Sequence, residues 1–139
     1  MLPTTLNTNE VKNSAGTEVE FSRLSTVDRE LVFAQVNESP NLPHRITISH
    51  RELGAGLSRR RQSRIQVAKS VQGTVDDTRT EVIIANLALS VPVGNISTLA
   101  ETTNVVAEMT SFLASLGAST TILYDGTGNG AAALINGSL

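Results

Sequence analysis

The side chains best suited to chemistry in this sequence are basic and gathered in one place. Seven of its eleven Lys and Arg residues lie between His44 and Lys69: Arg45, Arg51, Arg59, Arg60, Arg61, Arg64 and Lys69. The only acid in that window is Glu52, so the window carries +6 while the rest of the chain carries −8, within a net charge of −2. No Lys or Arg follows Glu81. Guanidinium groups present fork-shaped donors that match phosphate. A nearly neutral chain that collects its positive charge in one segment is suited to an anionic partner. The triplet Arg59-Arg60-Arg61 taken alone reads as a solvated basic loop. The pattern around it is what favours a binding surface.

Other chemistries find little support. With 0 Cys, the chain excludes disulfide scaffolds, zinc ribbons, iron–sulfur sites and thiol nucleophiles. His44 and His50 are the two histidines, and on an extended strand they stand about 20 Å apart. They cannot share one metal within a chain. Asp76-Asp77 has no partner His or third carboxylate and reads as a solvated turn. Gly126-x-Gly128-x-Gly130 lacks the strand–turn–helix context and the Lys of a phosphate loop, and reads as a flexible tail. No G-x-S-x-G elbow or S-x-x-K is present. The expectation is a protein that is not an enzyme and uses no cofactor or metal. An enzyme with His50 contributed by both halves of a dimer would lack a second catalytic partner.

The elements that must position the basic side chains show themselves by periodicity. Arg45 to Glu52 alternates, with Arg45, Thr47, Ser49 and Arg51 on one face and Ile46, Ile48 and His50 on the other. Arg60 to Ala68 alternates again, Arg60, Gln62, Arg64 and Gln66 lying opposite Arg61, Ser63, Ile65 and Val67. Paired as a hairpin, the two strands merge their polar faces into one surface, and their apolar faces meet a core. Thr4 to Val11 and Thr17 to Arg23 are two short strands around a turn at Gly16, and Glu30 to Asn37 is another. Thr80 to Val91 is the strongest strand, with Asn86, Ala88 and Ser90 on one face and Leu87, Leu89 and Val91 on the other. Ser70 to Thr78 reads as the loop before it.

The period then changes. Leu99, Val106, Met109, Leu113 and Leu116 recur at helical spacing, so Ile96 to Leu116 is expected to be an amphipathic helix, with a capping box at Thr98 and Glu101 and a stop at Gly117. A second, short helix is expected from Ala118 to Tyr124, and a loose tail beyond it. The length, 139 residues, suits one domain. Its expected parts are an N-terminal hairpin at 4–25, an antiparallel sheet at 28–92, a helical region at 96–124 and a Gly-rich tail at 125–139. The class is α+β, strands first and helices last. Such a sheet leaves apolar surface and a long edge uncovered in a monomer, so an obligate two-fold dimer is expected. No signal peptide is visible at the N-terminus, and the uncharged stretch from Val82 to Ala100 contains Asn86, Pro92, Gly94 and Asn95, which makes it a poor bilayer helix. No membrane partner is expected.

Two stretches carry a family resemblance. Asn86-Leu-Ala-Leu-Ser-Val-Pro-Val93 with the helix that follows resembles the last strand and first helix of coat proteins of single-stranded RNA bacteriophages, the leviviruses. Arg45-Ile-Thr-Ile-Ser-His-Arg51, followed after a short turn by a basic strand, resembles the same family. The order of elements fits over roughly residues 4 to 124: an N-terminal β-hairpin, a five-stranded antiparallel sheet, then C-terminal helices.

The resemblance implies that two copies form a dimer with one continuous sheet and interlocked helices. Dimers would build an icosahedral shell of T=3 arrangement in the bacterial cytoplasm, and the protein would reside in the virion. The sheet would line the interior, contact the single-stranded RNA genome and bind an RNA hairpin as translational repressor and packaging signal. A phage maturation protein is a further implied partner. By motif, Arg45, Thr47, Ser49 and Arg51 would face RNA from one strand, Thr47 and Ser49 matching the hydroxyl pair that lines an adenine pocket. Arg60, Gln62, Arg64 and Gln66 would face it from the next strand, and Asn86 would contact the RNA backbone. Ile84 stands where some members stack a Tyr on a base. The loop at Ser70 to Thr78 would take alternative shapes at the symmetry axes. The alternative reading is a dimeric RNA-binding repressor that does not form shells.

Overall fold

The computed structural model describes residues 2–7, 9–117 and 121–137. They fold into two compact units, one comprising Met1–Val11 with Val19–Ile96 and the other Lys12–Glu18 with Ser97–Leu139. The first is a six-stranded antiparallel sheet whose strands lie side by side in chain order. They are β1 (Thr5–Leu6), β2 (Phe21–Val27), β3 (Glu30–Gln35), β4 (His44–Leu53), β5 (Arg60–Gln72) and β6 (Thr80–Val91).

Local chemistry sets the strand boundaries. The segment between β3 and β4 contains Pro40 and Pro43, whose missing N–H groups keep it out of the ladder. A short 3-10 turn at Gly56–Ser58 separates β4 from β5. Beside it, a Cβ at Gly94 would collide with the Gly56 carbonyl, so the chain leaving β6 can pass there only as glycine. β5 continues to Gln72, paired with Thr80 of β6. The stretch expected to be loop from Ser70 is therefore strand at its start, and the connection is confined to 73–79. Ser70, Val71 and Gln72 extend because each has a partner in Val82, Glu81 and Thr80. The N-terminal hairpin is shorter than expected, with β1 pairing Thr5 to Ser22 and Leu6 to Phe21.

The core of this unit lies on one face of β2–β4. Phe21, Phe33 and Ile46 are buried, with Leu6, Val11, Val19, Leu31 and Ile48 packed around them. Two of the chain's few aromatic rings anchor it, since each buries more apolar area than an aliphatic side chain. Farther along the same face, on β5 and β6, Ile65, Val67 and Ile83 are exposed.

In the second unit α1 spans Ala100–Ala114, inside the expected 96–116. The capping box does not form: Leu99 is the N-cap, without a side-chain cap hydrogen bond. The helix ends where Ser115 turns extended, bridging Ile122, while Leu123 N–H donates to the Ala114 carbonyl at 2.9 Å. Of the expected second helix at 118–124, residues 118–120 lie outside the described residues and Thr121 to Tyr124 is not helical. The second helix, α2, is instead Asn129–Asn136, within the stretch read as a loose tail. A Cβ at Gly128 would overlap the Leu113 carbonyl, and one at Gly130 would come 2.7 Å from the Phe112 ring. The glycines that suggested flexibility thus allow α2 to approach the end of α1.

Candidate nucleic-acid interface

The register of β4, β5 and β6 decides which side chains share a face. Thr47 pairs with Gln66, Ser49 with Arg64 and Arg51 with Gln62, while Gln66 pairs with Asn86, Arg64 with Ala88 and Gln62 with Ser90. Directly opposed residues point to the same side of a sheet. Arg45, Thr47, Ser49, Arg51, Gln62, Arg64, Gln66 and Asn86 therefore lie on one face, and Arg60, two residues before Gln62, joins them. All nine residues singled out by alternation and resemblance are on that face, opposite the one that carries Phe33 and Ile46. The strand period of two does this: a slip of one residue in either hairpin would have sent one row into the core.

The arginines are held in a particular way. Arg51 Nε donates to Gln62 Oε1 at 2.8 Å, Arg60 Nε to Ser90 Oγ at 2.9 Å and Arg64 Nε to Asn86 Oδ1 at 2.9 Å. A terminal nitrogen of Arg60 donates to the Ser90 carbonyl at 3.1 Å, and one of Arg64 donates to Gln66 Oε1. Every partner is neutral. The ion pairs among the described residues are Arg29–Glu52, Arg45–Glu38 and Arg79–Asp76, so Arg51, Arg60 and Arg64 keep their charge uncompensated. Fixing a guanidinium through Nε reduces the entropy lost when it meets an anion. Beside Arg51 and Arg64 is an open hollow of about 450 Å³, lined in part by Ser49, Arg51, Gln62, Arg64, Ala88 and Ser90.

Neither alternation nor resemblance singles out Ser90 or Glu38 as a binding residue. The alternation of β6 places Ser90 beside Asn86, but nothing in its type announces that it anchors Arg60 from 30 positions away. Glu38 lies in the loop before β4, where no period operates. Its Oε2 accepts the His44 backbone N–H at 2.9 Å, and its Oε1 faces the Arg45 guanidinium at 3.4 Å.

The histidines lie on the opposite face. His44 packs edge-on against Phe21, ring centroids 5.0 Å apart, and its Nδ1 is 2.8 Å from Gln35 Oε1. Burial, reinforced by the charge of Lys69 across the strand and opposed by Glu38, lowers its pKa from the usual histidine value. His50 Nδ1 is 2.8 Å from Ser63 Oγ. No cluster of three or more His, Asp or Glu suited to a metal occurs among the described residues. In the loop before β6, Asp76 accepts from the Thr78 hydroxyl and backbone N–H. The hydroxyl first and the N–H second hold its carboxyl below the usual range, as expected of a solvated turn.

No protein-family model and no curated protein matches the sequence. Solved structures do match. The virus-like particle of bacteriophage EMS014 aligns over 100% of this chain and 99% of its own, with a TM-score of 0.70 at 12% identity. A coat protein of bacteriophage EMS014 covers 87% of each chain with a TM-score of 0.68 at 16% identity. The bacteriophage GA protein capsid covers 97% of this chain and 95% of its own, with a TM-score of 0.58 at 18% identity. The chain thus has the fold of phage coat proteins, an antiparallel sheet followed by two C-terminal helices.

Proposed function

We propose that this chain is the coat subunit of an RNA bacteriophage, which dimerises, assembles into a closed shell and binds single-stranded RNA on the polar face of its sheet. The observation that carries the reading is the trio Arg51, Arg60 and Arg64, fixed by neutral partners on a fold shared with capsid proteins. Fixed, uncompensated guanidinium groups supply the backbone attraction that dominates nucleic-acid affinity. Thr47 and Ser49, with Gln62, Gln66 and Asn86, add donors and acceptors able to reach the edges of unpaired bases. Arg45 stands at the margin of this surface. An RNA hairpin is the ligand that would gain most from such a mixture of charge and hydroxyls, because its loop exposes bases that a duplex hides.

Self-association follows from β6. It is twelve residues long, it ends the strand order, and Val82, Ile83 and Ile84 along it are exposed. A long apolar edge pairs readily. Pairing β6 with its copy about a two-fold axis would join the two polar faces into one surface and bring the Asn86 residues of both copies toward its centre.

Negative-stain electron microscopy of the protein expressed alone in bacteria, with absorbance at 260 and 280 nm on the same fraction, tests the reading. Round shells with a 260 nm excess are expected. A dimer that binds RNA without forming particles would replace the coat role with that of a repressor, and a nucleic-acid-free monomer would overturn both.

A further inference from the structure

The four arginines of the polar face are not equivalent. Arg51, Arg60 and Arg64 each have a polar side chain across or beside them to receive Nε. Arg45 sits between Ala34 on β3 and Ala68 on β5, neither of which can. The chain supplies Glu38 from the preceding loop instead, at 3.4 Å. That carboxylate is well placed to stay, because its side chain is only 20% exposed and its other oxygen accepts the His44 N–H.

We infer that Glu38 is a built-in counterion that confines polyanion binding to the Arg51, Arg60 and Arg64 end of the face and withholds Arg45 from it. The inference rests on the RNA-binding reading above and concerns where on that surface the phosphates lie. A phosphate approaching Arg45 meets a fixed negative charge beside the guanidinium, whose repulsion offsets the attraction unless the carboxylate moves away. Displacement would leave the His44 N–H without its acceptor. Around the 450 Å³ hollow no ion pair has to be broken before a phosphate binds. Glu38 is thus a residue that sets the edge of the footprint rather than one that touches RNA.

The test is a salt titration of fluorescent poly(U) binding to the full-length protein and to Glu38→Gln, Arg45→Ala, Arg64→Ala and the Glu38→Gln/Arg45→Ala double variant. Gln at position 38 keeps an acceptor for the His44 N–H, and thermal melts check that each variant folds. Glu38→Gln should bind several-fold more tightly, with a log–log salt slope steeper by about 0.7, the value of one additional phosphate on a single strand. Arg45→Ala should matter little in the parent and cancel the gain in the double variant. An unchanged or weaker Glu38→Gln, or an Arg45→Ala loss as large as that of Arg64→Ala, overturns the inference while leaving the RNA-binding face in place. A flat salt response of the parent, with no loss in Arg64→Ala, overturns the face itself.

Discussion

The apolar face of the sheet has two halves that satisfy their side chains differently. On β2–β4, Phe21 and Phe33 are 0% exposed and close over Ile46. On β5 and β6 the same face leaves Ile65 42% and Ile83 63% exposed. Both halves obey one alternation, so the difference does not lie in the strands. It lies in what covers them: the first half has aromatic rings with Leu6, Val11 and Val19 packed around them, whereas the second leaves aliphatic side chains exposed on β5 and on the edge strand β6. The lesson is that the covered half holds the unit together and the open half is free to serve association.

The largest effect should come from breaking the covered half. Phe33→Ala removes a ring from a closed core and should cost about 3–5 kcal/mol, read as a lowered urea midpoint. If the two halves are as different as their exposure suggests, Ile83→Lys should leave that midpoint nearly unchanged. It should instead weaken the proposed self-association by roughly tenfold or more through lost burial, which sedimentation velocity would register. A stability loss like that of Phe33→Ala would erase the distinction. On the polar face, Arg64→Ala should weaken random RNA and a cognate hairpin alike, whereas Thr47→Ala should weaken the hairpin more. Equal losses in filter binding would remove the base-reading role from Thr47.

The smallest effect concerns His44, beside the covered core. Its folded-state pKa lies below the usual value of 6.5, chiefly through burial, so below that pH the unfolded chain binds the proton more readily. Its contribution is therefore complete above pH 6.5 and is lost as pH falls toward the folded-state value. The urea midpoint should decline modestly between about pH 7.5 and 5.5, and His44→Gln should flatten the decline.

Much of this arrangement is legible in the residue order because a strand's period leaves little freedom. The division of Arg45 to Arg51 into two faces follows from polar and apolar residues taking turns, and the end of Thr80–Val91 from the Pro92 and Gly94 that follow it. The register that aligns Arg51 with Gln62 does not, because a slip of two residues would keep every side chain on the same face. What alternation cannot express is contact between distant positions. Glu38 reaching Arg45 and Ser90 holding Arg60 depend on where loops and neighbouring strands come to lie. The expected capping box at Thr98 does not form because the helix begins at Ala100, one residue later than a Thr98 cap requires, and Leu99 supplies only its carbonyl to Thr103. The second helix was hidden by its own composition, since glycine's cost in a helix says nothing of the space a neighbour requires.

That last point bears on where the molecule tolerates change. A stretch such as Gly126 to Ala133, low in complexity and close to the end, invites use as a place to splice in foreign peptides or to trim. With the Phe112 ring 2.7 Å from where a methyl would sit on Gly130, it is a poor one. The turn at Asn13 to Gly16, where the Asn13 side chain organises exposed backbone, is the better site for grafting a foreign sequence, provided Gly16, whose φ is +77°, is kept.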